Sequence, residues 1–201
     1  MVITVSNLYG CGALAIAQRV AERLGLEYVD EQLPVVVAKR LRTTPEAVES
    51  AEDLGATVGE RMLRGLELGT PEVSSSQRGP SFDEACLREV QEAVREYAAH
   101  GNVVLIGRGA GAILGRRPDV VRVLMHAPRD WRIQHLVDAY HVSEAAATAE
   151  VDRIDRARAK HMEATYGLKW IEARNYDLCL DVASLGTERC IEAIVSAVRT
   201  R

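Results

Sequence analysis

Residues 1–25, MVITVSNLYGCGALAIAQRVAERLG, constrain the fold more than any other stretch of the chain. Residues 1–5 are rich in β-branched side chains and suit a short buried strand, which the polar Ser6 and Asn7 end. From Leu14 onward, Ile16, Ala17, Val20, Ala21 and Leu24 recur at the spacing of an amphipathic helix, with Gly25 placed to cap it. Between strand and helix lies a glycine turn, Asn7-Leu8-Tyr9-Gly10-Cys11-Gly12-Ala13-Leu14. Such a turn offers backbone N–H groups and the positive end of a helix dipole to an anion.

Residues 27–30 read as a second strand, so 1–30 form one β-loop-α-β unit. Residues 31–100 contain no convincing strand. Helical spacing runs over 32–41, 45–55 and 58–68, and Thr44-Pro45 marks a helix start. GTPEVSSSQRGPS, 69–81, reads as a loop or lid, and 82–100 as a long helix. NVVLI at 102–106 and VVRVLM at 120–125 read as buried strands, with a short last strand at 177–180. Helices are expected over 109–114, 129–140, 143–161 and 187–198. Near-continuously apolar strands alternating with helices predict a parallel sheet covered on both faces. The expectation is one α/β domain, with a core of 1–30 and 101–201 and a helical insertion at 31–100.

With 201 residues, 47% of them hydrophobic, the chain can bury one sizeable core. A net charge of −4 and a pI near 5.8 argue against a nucleic-acid-coating protein, so any basic site must be local. Cys11, Cys86, Cys179 and Cys190 form no C-x-x-C pair, which argues against a structural zinc or a disulfide framework. Cys86, Cys179 and Cys190 lie in apolar-patterned segments and are expected in the core. The apolar N-terminal run is too short for a signal peptide or a membrane span, so a cytoplasmic chain is expected. His126 ends a strand and His161 begins a loop, and no histidine pair has metal-ligand spacing, so no metal ligand is assigned.

The glycine turn fits two motifs. In the phosphate loop G-x-x-x-x-G-K-[ST], backbone amides wrap the phosphates, the lysine neutralises charge and the hydroxyl ligates magnesium. With Gly12 as its last glycine, Asn7 takes the first glycine position, Ala13 the lysine and Leu14 the hydroxyl. The backbone cradle survives and the side-chain chemistry does not. The dinucleotide fingerprint G-x-G-x-x-[GA] matches as Gly10 to Ala15, with Asp30 placed for ribose hydroxyls. The helical block after the second strand favours the first motif, because a dinucleotide fold brings its third strand sooner.

EVDRIDRARAKHMEATYGLKWIEARNYDLCLDVASLGTERCIEAI, 150–194, is the most specific passage. Arg153, Arg156 and Arg158 crowd two turns of helix, and Asp152 and Arg156 form an i,i+4 pair. Alone this is the pattern of a solvated helix laced with ion pairs. Its position, running into a glycine-bearing loop before the last strand, lets the arginines close over a ligand at the sheet's C-terminal edge.

Four pieces in order, YGCGALAIAQRVAERLGLEYVD, NVVLIGRGAGAIL, VRVLMHAPRDWRI and RIDRARAKHMEATYGLKWIEARNYDLCLDVASLG, resemble the cytidylate kinase-like family, relatives of nucleoside monophosphate kinases. The resemblance implies a three-layer α/β P-loop NTPase-type domain spanning 1–201, with a five-stranded parallel sheet, an acceptor-binding insertion at 31–100 and a lid at 153–172. It implies phosphoryl transfer from ATP to a nucleoside monophosphate or related small acceptor, with Mg2+ carried in by the nucleotide. Tyr9, Gly10, Cys11, Gly12, Ala13 and Leu14 would hold donor phosphates. Asp30, Arg108 and Arg132 would face the acceptor. Arg153, Asp155, Arg156 and Arg158 would form the lid's catalytic set, with Asp155 and Arg158 on its D-x-x-R. Where the family's loop usually reads Gly-Ser-Gly-Gly-Arg-Glu, this chain has Gly10-Cys11-Gly12-Ala13-Leu14-Ala15. That departure, with Ala13 and Leu14, leaves the alternative of a catalytically silent nucleotide- or anion-binding relative, and the Gly10-x-Gly12-x-x-Ala15 match with Asp30 leaves that of an NAD-dependent oxidoreductase.

Other residues carry smaller expectations. Cys11 beside a helix N-terminus has either a lowered pKa and a reactive thiol, or the role of a small residue filling the turn. Tyr9 matches the family's pattern and would flank a nucleotide. Trp170 is expected to pack the lid against the body, and Tyr166 is a second aromatic that would suit a base. Arg40, Arg42, Arg61 and Arg64 are candidates for an acceptor phosphate. Apolar residues at 35–37 and 56–68 offer a face for a second copy of the chain.

Overall fold

The computed structural model describes residues 1–30, 32–51 and 80–200. Its elements are β1 (Val2–Asn7), α1 (Ala13–Leu24), β2 (Glu27–Val29), α2 (Gln32–Leu41), α3 (Pro45–Ala51) and α4 (Pro80–His100). Then come β3 (Val103–Ile106), α5 (Ala110–Leu114), β4 (Val120–His126), α6 (Arg129–Tyr140), α7 (Glu144–Tyr166), β5 (Leu178–Asp181) and α8 (Val182–Arg199). The expected helix at 58–68, most of the loop at 69–81, and Arg61 and Arg64 lie outside the described residues.

The strands pair in the order β2-β3-β1-β4-β5, all parallel. β3 therefore sits between β1 and β2, whereas a dinucleotide-binding sheet places its second strand beside its first. The oxidoreductase reading falls on that point. Every residue of β3 is buried and β4 is buried from Val120 to Met125, as both faces of a covered parallel sheet require.

Two apolar layers flank the sheet. On one side α1 (Ile16, Ala17, Val20) and α8 (Ile191, Ile194, Val195) pack on Ile3, Val5, Val104 and Val123. On the other, α2 to α5 pack through Leu33, Val37, Val48, Val90, Val94 and Ala110 onto Val2, Val103 and Leu105. A third, separate cluster joins α6 to α7 through Ile133, Leu136, Ala147, Val151 and Ile154, and Tyr9 of the glycine turn belongs to it.

Several boundaries differ from expectation, each for a local reason. α4 starts at Pro80, inside the expected loop, because proline is well placed at a helix's first position. α7 runs on to Tyr166 before Gly167, at φ 63, caps it, so the stretch at 161–166 is helix and not loop. α8 starts at Val182 because Asp181 accepts hydrogen bonds from the N–H groups of Ala183 and Ser184, and Gly186 (φ 74) interrupts it. Cys179 is exposed on the edge strand β5, correcting its expected burial, while Cys86 and Cys190 are buried. Of 35–37, Val37 is core and Val35 is exposed.

Candidate functional site

The turn after β1 is shaped by its two glycines and by α6 packed against it. Gly10 (φ 80) and Gly12 (φ 76) adopt the left-handed region. A Cβ on Gly10 would lie 3.0 Å from Leu136 Cδ1 and 3.1 Å from the Arg132 carbonyl, so backbone conformation and packing both require glycine there. Gly12 caps α1 with no side-chain hydrogen bond, and the first-turn amides of this 12-residue helix face the turn. That is the backbone half of an anion cradle.

The side chains of the turn point elsewhere. Ala13 is buried and Leu14 packs against the core. Cys11 is fully buried, its Sγ 3.7 Å from the Met125 carbonyl, and burial raises its pKa to about 11. This corrects the reactive-thiol expectation: desolvation outweighs the favourable helix terminus and the nearby Arg158 and Arg132. Cys11 fills the turn. The Tyr9 ring is likewise 7% exposed and packs within the α6–α7 cluster.

Two residues of α7 reach the turn. Asp155 Oδ1 accepts the Tyr9 N–H at 2.9 Å, and Arg158 Nη1 donates to the Asn7 carbonyl at 2.8 Å. The Arg158 guanidinium lies 5.9 Å from the ring centre of Trp170, which is buried. Arg153 pairs with Glu150 and is exposed, and Arg156 is exposed too. The helix thus brings Asp155 and Arg158 to the loop and leaves the other two arginines on its solvent side.

Arg132 is 5% exposed. Its Nη1 donates to the Tyr9 carbonyl and to Asp155 Oδ2, both at 2.7 Å, and its Nε to the Ala127 carbonyl at 3.1 Å. It braces the turn from behind.

The second focus is the turn after β3. Gly107 (φ 70), Arg108 (φ 53) and Gly109 (φ 67) are three successive left-handed residues. For arginine that conformation is strained, and strain of this kind concentrates at functional sites. Burial is the main cause lowering the Arg108 pKa, the carboxylates of Asp30 and Glu49 oppose it, and Arg158 adds to it. Arg108, Asp30, Glu49 and Arg158 are therefore neighbours. Arg40, by contrast, is held by Glu96 and Glu89 of α4, and Arg42 is exposed at a left-handed position.

Sequence reasoning missed one residue beside the cradle. His135, stacked on Trp131 with centroids 5.0 Å apart, has its Nε2 3.5 Å from where a Gly12 Cβ would lie. Its one sequence signal is its place on α6, three residues after Arg132 and so on the same face.

The donor groups do not fit a protein-held magnesium ion. Ala13 and Leu14 offer no hydroxyl, β3 ends without a carboxylate, and the Asp155 carboxylate is engaged by Tyr9 and Arg132. Among the described residues no three His, Cys, Asp or Glu side chains group as a metal site.

A parallel β2-β3-β1-β4-β5 sheet with a glycine turn after its first strand defines a three-layer P-loop-type α/β fold. Solved structures share it. One of an uncharacterized protein from Eubacterium ventriosum superposes with a TM-score of 0.70 at 15% identity, covering 100% of this chain and 99% of that one. A shikimate kinase from Bacteroides thetaiotaomicron superposes at 0.51 and 16% identity, covering 100% and 96%. The model of the cytidylate kinase-like family matches residues 2–184, and the chain belongs to that family. Cytidylate kinases from Halobacterium salinarum (21% identical, 98% of this chain, 89% of the relative) and Methanopyrus kandleri (24%, 98%, 93%) are similar along their length. These relatives do not favour the silent alternative. No helix among the described residues is long and apolar enough to cross a membrane.

Proposed function

We propose that this chain transfers the γ-phosphoryl group of ATP to a nucleoside monophosphate or a related small acceptor in the cytoplasm. One observation carries this reading: α7 touches the turn after β1 through Asp155 and Arg158, and its last residue, Tyr166, lies against Gly109 beside Arg108. A donor cradle and an acceptor-facing arginine thus share one covering helix. In this reading the amides of residues 10–14 hold the donor phosphates, and Arg158 and Arg108 neutralise charge on the transferring and accepting groups. Transfer proceeds in line, a reaction that depends on positioning and charge neutralisation more than on covalent chemistry. Residues 31–100 serve as the acceptor-binding insertion and 153–172 as the lid. Magnesium enters on the nucleotide, because the turn itself lacks the donors to hold it.

The test is a thermal-shift panel of ATP, ADP, CMP and NAD, each with and without magnesium, followed by an ADP-release assay over a range of acceptors. Ligand at 100 times Kd stabilises by about 2.7 kcal/mol, which is readily seen. ATP stabilisation with acceptor-stimulated ADP release is expected. Stabilisation without turnover against every acceptor would leave a silent binder, and no response to any nucleotide would remove both readings.

A further inference from the structure

The two peptide groups that flank the Tyr9 Cα are held by one ion pair. Asp155 Oδ1 accepts its N–H, Arg132 Nη1 donates to its C=O, and the same Nη1 donates to Asp155 Oδ2. The three contacts measure 2.9, 2.7 and 2.7 Å and close a ring of hydrogen bonds. The Tyr9 side chain meanwhile sits in the α6–α7 cluster with Ile133, Leu136, Val151 and Ile154. Backbone and side chain of one residue are thus fastened to the same helix pair. One residue further on, α6 closes over Gly10 through Leu136 and the Arg132 carbonyl.

We propose that Arg132 and Asp155 are positioning residues for the donor phosphates, which set the shape of the glycine turn where no lysine or hydroxyl is present to do so. This rests on the phosphoryl-transfer reading of the site and assigns the pair a different part in it from acceptor contact or charge neutralisation. A turn without side-chain ligands of its own binds phosphate through amides alone, and their affinity depends on how tightly their directions are held. In most phosphate loops the bound ligand and lysine help to hold that geometry. Here it is held from outside. Arg132 suits the role because its planar guanidinium reaches the Ala127 carbonyl, the Tyr9 carbonyl and the Asp155 carboxylate at once. A lysine ammonium carries its three donors on one nitrogen and lacks the separate Nε and Nη1 from which Arg132 reaches Ala127 on one side and Tyr9 and Asp155 on the other.

Asp155→Asn tests the idea, because it keeps the shape of the side chain while removing the charge that pairs with Arg132. Two readouts are taken on the full chain: protection of the Tyr9 amide in hydrogen exchange, and Kd for ATP beside Kd for CMP. The wild type is expected to protect the Tyr9 amide, and the variant to lose about tenfold or more of that protection. ATP is expected to bind about tenfold more weakly in the variant, as for loss of a charge-assisted hydrogen bond, with CMP binding unchanged. Arg132→Lys serves if Asp155→Asn does not fold, and is expected to weaken ATP several-fold in the same direction.

An exposed, fast-exchanging Tyr9 amide in the wild type would overturn the clamp. Weakened CMP binding with ATP unaffected would overturn it too, by making Asp155 an acceptor contact. If ATP fails to bind the wild type while the Tyr9 amide is protected and Asp155→Asn exposes it, the clamp stands and the donor reading is what fails.

Discussion

The ring of Tyr166 covers Gly109 so closely that a methyl group at residue 109 would fall 2.8 Å from its Cε2 atom. Gly109 also has a φ of 67°, where only glycine is unstrained. Gly109→Ala is therefore expected to destabilise the chain by about 2 kcal/mol through the clash and the strain together. Denaturant midpoints measure this. Adding Tyr166→Ala should remove the clash component, and a Gly109→Ala variant as stable as the wild type would disprove the contact.

Tyr166 carries a second consequence. Its hydroxyl is buried and makes no hydrogen bond of good geometry among the described residues, although Gln91 and Arg95 lie near enough to lower its pKa against the dominant effect of burial, which raises it. An unpartnered buried hydroxyl costs about 1 kcal/mol or more. Tyr166→Phe should accordingly raise the melting temperature of the ligand-free chain by a few degrees. A lower melting temperature would mean that the hydroxyl is satisfied in solution.

The lid arginines should separate by their positions on α7. Arg158 touches the Asn7 carbonyl, whereas Arg153 is paired with Glu150 and exposed. Arg158→Ala is expected to lower kcat by a factor on the order of 10³, the lower end for an arginine that neutralises a transferring phosphoryl. Arg153→Ala should leave kcat within about twofold, as for loss of an exposed ion pair. Equal losses would put the two side chains in the same role.

Cys11 contributes to the loss of stability at alkaline pH, alongside Tyr166, Tyr176 and Cys190, whose pKa values burial also raises. Its folded pKa is raised to about 11 from a reference of 9.0, so its contribution is complete below pH 9 and is lost as pH rises towards 11. The unfolded thiol ionises first, which draws the equilibrium towards unfolding by up to about 3 kcal/mol. Chemical denaturation at pH 8 and pH 10.5 measures the loss, and Cys11→Ala should reduce it. At pH 8 a thiol reagent is expected to modify Cys179 and to spare Cys11 until the chain unfolds.

The fold was largely legible because parallel strands buried on both faces leave an unbroken apolar run. NVVLI and VVRVLM could be little else between helices. The helix ends were less so. The lid helix continues past His161 because Gly167, and not an earlier residue, turns the backbone left-handed, and nothing in the composition of 161–166 distinguishes helix from loop. At the site, motif spacing placed the glycine turn and the Gly107-Arg108-Gly109 turn. It could not say which arginines face inward, since Arg153, Arg156 and Arg158 differ only by rotation about the helix axis. Nor could it show Tyr9 and Cys11 buried, because their neighbours come from α6, α7 and β4, far along the chain.

α7 is also a lever. Its 23 residues extend about 34 Å from the turn at Ser143, with Asp155 near the middle and Tyr166 at the tip. A tilt of roughly 5° about that end would carry Asp155 by about 1.5 Å and Tyr166 by about 3 Å on a rise of 1.5 Å per residue. The gearing is close to two to one. A stretch of about 0.5 Å in the Tyr9 hydrogen bond, short of breaking it, would move the Tyr166 ring by about 1 Å over Gly109.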